Sequence, residues 1–126
     1  MASSTKLVLL DTNFVLDCYK FGIHLAEIDT ILDEAYELWV PENVLIELDL
    51  LTLKGKDEEA RKTMLKVLST YPVLPLQGAV DASLVQYARE HDCIICTNDR
   101  ALRKNLRKIG KKAIFVRSKS HLEIEW

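Results

Sequence analysis

The sequence lacks the features that mark most specialised classes of chain. It has no apolar run near the ~18 residues that a spanning helix needs; its longest runs, such as Leu7 to Leu10, are strand-length. Met1-Ala-Ser-Ser-Thr-Lys6 is short and polar, and the four apolar residues after it are too few for the apolar core of a signal peptide. The expected location is therefore the cytoplasm, with no membrane contact. Cysteine is scarce and odd in number (Cys18, Cys93 and Cys96), which excludes a disulfide framework. Cys93-x-x-Cys96 falls in an apolar strand, where residues three apart lie ~10 Å from each other, too far for a bridge. No second pair completes a zinc site, so these cysteines read as small buried hydrophobes. His24, His91 and His121 show no ligand spacing. Glycine is sparse, with four residues, and forms neither a G-x-G-x-x-G turn nor a Gly-Lys-Ser/Thr phosphate loop.

What is present is one domain's worth of chain. At 126 residues and 48% hydrophobic, it can bury ~68% of its unfolded surface. We take 1–126 as a single domain, with a core over 6–117 and a tail over 118–126. Short apolar strands (Lys6–Leu10, Leu38–Val40, Val73–Leu74, Cys93–Thr97, Ala113–Val116) alternate with helical patterns. The helices are expected from Asp11 to Gly22, His24 to Tyr36, Glu42 to Leu53, Asp57 to Thr70, Asp81 to Glu90, and Asn98 to Ile109. Lys54-Gly55 reads as the cap of the third helix, and the alternation of Leu122, Ile124 and Trp126 as an edge strand or a segment packed on the body. This is the pattern of an α/β fold with a parallel sheet covered on both faces.

In such a sheet, ligands sit at the carboxyl ends of the strands. Asp11 follows the first strand, Asp81 the third and Asp99 the fourth. Glu47 lies in the helix after the second strand and borders the apolar face of Val44, Leu48 and Leu51, so it is expected to be half-buried. Asp is also a favoured helix N-cap, and each Asp alone would read that way. Four acids on one rim read differently. Carboxylates so crowded cannot all stay ionised without cations, and hard oxygen donors select Mg²⁺ or Mn²⁺. One or two such ions activate water and clamp a phosphodiester for in-line displacement. Asn13, Thr97 and Asn98 are placed to fix the carboxylates by hydrogen bonds.

The charge is uneven. From Arg100 to Lys112 there are seven basic residues and no acidic one, while the remainder carries ten basic against 19 acidic. Arg100, Arg103, Lys104, Arg107 and Lys108 share one face of a helix that begins beside Asp99. Cations at a helix start are unfavourable unless an anion visits, so this stripe is expected to grip a polyanion beside the acids.

The residues resemble those of a PIN-domain nuclease. The resemblance rests on Leu9-Leu-Asp-Thr-Asn13, Val40-Pro41 leading to Glu47-Leu48, Asp81 with Leu84 and Ala88, and Cys96-Thr-Asn-Asp-Arg100 with Leu102. It implies a single-domain three-layer fold with a five-stranded parallel sheet of order 3-2-1-4-5. It also implies a metal-dependent endoribonuclease, often a homodimer, with Asp11, Glu47, Asp81 and Asp99 as metal ligands. Phe21-Gly22-Ile23 and the basic helix are similar to the archaeal and eukaryotic branch associated with rRNA processing, with VapC toxins as the next relatives. That branch often has two adjacent Asp at the third acid, whereas Ala82 follows Asp81 here. The expected partners are RNA, either rRNA or single-stranded RNA, a second copy of the chain, and an assembly factor or antitoxin. The rival readings are a VapC-type toxin, a catalytically silent RNA-binding assembly factor and, more remotely, a phosphoacceptor domain.

Overall fold

The computed structural model describes residues 5–125; the polar start at 1–4 and Trp126 lie outside the described residues. The elements run β1 (Lys6–Leu10), α1 (Thr12–Lys20), a 3-10 turn (Leu25–Glu27), α2 (Ile28–Ile31), β2 (Tyr36–Pro41), α3 (Glu42–Leu50), α4 (Gly55–Leu68), β3 (Val73–Leu74), α5 (Val80–Glu90), β4 (Cys93–Cys96), α6 (Arg100–Lys108), β5 (Ala113–Arg117) and β6 (His121–Glu125). Among the described residues, no helix is long and apolar enough to cross a membrane.

The sheet order is β3-β2-β1-β4-β5-β6. Its first five strands are parallel and stand in the order expected from the sequence. The sixth is a departure: β6 pairs antiparallel with β5, from Arg117 opposite His121 to Ala113 opposite Glu125. The sheet is therefore mixed and six-stranded, and the tail supplies its edge. Two left-handed residues, Ser118 and Lys119, turn the chain back.

Val8, Leu9 and Leu10 of β1 and Cys93–Cys96 of β4 are buried along their whole run. Such strands have packed layers on both faces. Phe14, Val15 and Cys18 of α1, Val44 and Leu48 of α3, Leu84 and Ala88 of α5, and Leu102 and Leu106 of α6 close the core on them. The three cysteines are free and buried.

Three expected elements came out differently. The helix expected from His24 to Tyr36 is two short turns that end when Leu32 becomes extended. The ladder takes over from there: the Lys6 amide bonds to the Ala35 carbonyl, and Tyr36 opens β2 beside Lys6. Pairing with β1 outweighs a helical apolar spacing that spans about three turns. The third helix stops at Leu50 rather than Leu53. Gly55 does not cap it but begins α4, with φ at +57°, a conformation that favours glycine. Asp81 does not cap α5 either, since Val80 already opens that helix.

Candidate active site

The strand order reverses between β1 and β4, and the carboxyl ends of strands at such a point form a crevice. Leu10 pairs with Cys96, so the next residues of the two strands, Asp11 and Thr97, are brought side by side. The Thr97 hydroxyl donates to Asp11 Oδ2 at 2.7 Å. The Thr12 amide donates to Asp11 Oδ1 at 2.9 Å. The same Thr97 oxygen accepts the Asp99 amide at 3.1 Å, so one buried hydroxyl ties two acids together. Asp99 caps α6, its Oδ1 accepting the Leu102 amide at 3.0 Å.

Asn98 holds the neighbouring backbone. Its amide donates to Asn13 Oδ1 at 3.2 Å, its side-chain NH2 donates to Asp17 Oδ2 at 2.8 Å, and its Oδ1 accepts the Val116 amide at 2.8 Å. The loop after β4 is thereby bound to α1 and β5. Asp17 is a member of this network that the sequence reading missed. It lies one helical turn beyond Asn13, and that i, i+4 spacing was the available signal. Thr12 was also missed as a separate group: its Oγ1 is buried without a hydrogen-bond partner among the described residues.

The acids act on one another. Burial raises the Asp11 carboxyl to about 6; the Thr97 and Thr12 hydrogen bonds oppose the rise, and the charges of Asp81 and Glu47 add to it. Partial burial raises Asp81, followed by the charges of Asp99 and Glu47. The charges of Asp81 and Glu47 thus reach Asp11, and those of Asp99 and Glu47 reach Asp81.

Glu47 corrects an expectation. It is exposed, not half-buried. At about 100° per residue it lies between Asn43 and Val44, both buried. A residue on an inward face that still meets solvent faces an open cleft rather than a packed wall. The convergence of the acids is also looser than expected: among the described residues, no three carboxylate, imidazole or thiol groups stand close enough together to hold an ion as they are. The donor set nevertheless fits a hard divalent cation. All four groups are carboxylates, and the raised Asp11 and Asp81 carboxyls are the condition that a cation relieves.

The basic helix divides into two rows. Arg103 lies 4.0 Å over the Phe115 ring and 3.7 Å from Glu125, with its side chain 13% exposed and its Nε without a hydrogen-bond partner among the described residues. Arg107 reaches the same Glu125 at 4.0 Å. Arg100, Lys104 and Lys108 are exposed and form no ion pair among the described residues. The pairing on β6 could not be read from the helix alone.

Over residues 8–119 the chain matches the family described as PIN like domain. It belongs to that family. It is 28% identical over 124 residues to ribonuclease VapC4 of Methanocaldococcus jannaschii, covering 93% of this chain and 95% of that one. It is 24% identical over 127 residues to ribonuclease VapC9 of Archaeoglobus fulgidus, covering 98% and 92%. Its fold is similar to that of the PIN domain endonuclease Utp24, with a TM-score of 0.80 and 25% identity over 94% of this chain and 90% of that one. The PIN-like assignment thus agrees with the sequence resemblance and with the α/β sheet.

Proposed function

We propose that this PIN-like protein is an endoribonuclease that hydrolyses RNA phosphodiester bonds and uses Mg²⁺ or Mn²⁺, one or two ions, held by Asp11, Glu47, Asp81 and Asp99. The observation that carries the reading is that Asp11 and Asp99 share the Thr97 hydroxyl at the strand crossing point, with the Asp11 and Asp81 carboxyls raised by burial and then by neighbouring acids. Ions bound there would lower the pKa of water and offset charge at the phosphorus. The chain's own residues do the rest. Thr97 and the Thr12 amide hold Asp11 in one rotamer, and Asn98, through Asn13, Asp17 and Val116, sets the loop that carries Asp99. Glu47 and Asp81 stand at the open side, where substrate enters. Arg100, Lys104 and Lys108 meet the RNA backbone. Arg103 and Arg107 can join them only by leaving Glu125.

A role in rRNA processing or ribosome assembly, with rRNA or single-stranded RNA as the substrate, is the first reading and rests on the sequence resemblance; the likeness to Utp24 supports the endonuclease activity it needs. A VapC-type toxin paired with an antitoxin is the second reading, favoured by the two VapC relatives. Growth arrest on expression, relieved by a co-encoded small partner, separates it from the first. We also propose a cytoplasmic homodimer built on α3, where Ile46 and Leu50 are 53% and 74% exposed one turn apart.

The test is cleavage of single-stranded RNA with Mg²⁺ or Mn²⁺. Activity is expected to vanish in EDTA and in Asp81→Asn. Cleavage that survives both would overturn the reading in favour of a binding protein with a contaminating nuclease. Binding should also weaken with salt, and Arg100→Ala or Lys104→Ala should each lower the salt slope by about one. An unchanged slope would remove these residues from the interface.

A further inference from the structure

A groove of about 460 Å³ runs between α5 and α6 and has Asp81 in its lining. We propose that it is a nucleotide subsite, which seats the nucleotide next to the scissile phosphate; the proposal rests on the ribonuclease reading above.

The α5 wall is the ridge Asp81, Val85 and Arg89, spaced four apart so that they share one face. From Asp81 to Arg89 the ridge is about 12 Å long. The α6 wall presents Ala101 and Asn105. Ala101 and Ala82 keep the groove open, because a methyl group is all that either puts into it. The volume falls within the ~300–1,000 Å³ of ordinary ligand clefts.

The lining offers hydrogen-bond donors that the protein does not use. Arg89 and Asn105 are exposed, and neither has a side-chain hydrogen bond or ion pair among the described residues. An Asn amide can pair with base edges, and an Arg with phosphate. The charge on α6 is sorted to match. Arg103 and Arg107, on the side away from the groove, are engaged by Glu125. Lys104 and Lys108 lie about 40° and 80° round the helix from Arg100, turning toward Ala101 and Asn105. Lys104 and Lys108 therefore stand between Arg100 and the groove-lining face of α6, and the presence of Asp81 in the lining commits its occupant to the strand being cut.

The test is anisotropy of a fluorescein-labelled eight-nucleotide single-stranded RNA, measured in EDTA so that it is not cut. Ala101→Phe, which fills the groove at an exposed position, is expected to weaken binding about tenfold. Arg89→Ala and Asn105→Ala should weaken it three- to tenfold, with the salt slope lower by about one for Arg89→Ala. Lys66→Ala, on α4 away from the groove, should change nothing. Melting temperatures accompany each variant; if Ala101→Phe unfolds, the two donor variants decide. Wild-type affinity in all three groove variants would overturn the subsite, as would failure of the wild type to bind the RNA at all. Turnover of bis(p-nitrophenyl) phosphate by the wild type with Mn²⁺ tests the acids without the groove. A protein that hydrolyses this ester yet binds RNA equally well in every variant keeps its ribonuclease reading and loses its subsite. One that binds RNA through the groove but hydrolyses nothing keeps the subsite and loses the ribonuclease reading.

Discussion

Asp11→Asn is expected to abolish RNA cleavage, by about 10³-fold or more, and to make the metal-free protein more stable at neutral pH. The first effect follows from removing a charged ligand: several kcal/mol of charge stabilisation at the phosphate corresponds to a thousandfold or more in rate. The second follows from linkage. The Asp11 carboxyl is raised to about 6 from an ordinary 3.8, so the folded state holds its proton more tightly than the unfolded state. No penalty exists below about pH 4. It grows as pH rises through 4 to 6 and is complete above that, at about 3 kcal/mol. Asn carries no charge to desolvate. It gives up one of the two hydrogen bonds that Asp11 accepts from Thr12 and Thr97, which costs about 1 kcal/mol. The net gain is about 2 kcal/mol at pH 7.5, or several degrees in melting temperature. Thermal melts in EDTA at pH 4 and pH 7.5 check this. The variant should melt above the wild type at the higher pH only. A variant that melts below the wild type at both would show that Asp11 is not held at electrostatic cost.

Thr97→Val should have the next largest effect, by a different route. Valine keeps the volume and loses the hydroxyl, which donates to Asp11 and accepts from the Asp99 amide in a fully buried position. Leaving both groups without their partner costs about 2 kcal/mol or more. The Thr97 bond lowers the Asp11 carboxyl, so its loss pushes that carboxyl further up. Activity should fall about 10- to 100-fold, the range for residues that orient metal ligands. The acid limb of the pH–rate profile should move to higher pH, which a merely structural defect would not produce. Rescue by Thr97→Ser, which restores the hydroxyl, should return the limb to its place. An unshifted limb in Thr97→Val would mean that Thr97 supports the fold and not the protonation of Asp11.

Asp11 and Asp99 could be placed from the sequence because each comes after a strand whose apolar run is short and unambiguous, whereas Glu47 lies inside α3 and Asp81 comes well after the two-residue β3. Leu7–Leu10 and Cys93–Cys96 can be little else than buried parallel strands, and the residues after them then share a rim. The order of the first five strands came with the family resemblance. What was not legible depends on contacts distant in sequence. Nothing between His24 and Tyr36 says that β1 will draw residues 36–39 into a ladder. Nothing in α6 says that Glu125, on a strand reached only after β5 turns back, will engage Arg103 and Arg107. Glu47 was placed on the right side of α3, but whether that side meets protein or solvent depends on the width of the cleft. Asp17 carries no motif and matters because Asn98, 81 residues away, bonds to it.

The most direct test of four acids acting as one cation site is anomalous diffraction from crystals soaked in Mn²⁺. One or two peaks ligated by Asp11, Asp81, Asp99 and Glu47 are expected, with Glu47 and Asp81 drawn inward and Asp11 still bonded to Thr97. A soaked crystal with no peak there, in which Asp99 only caps its helix and Glu47 stays in solvent, would contradict the account.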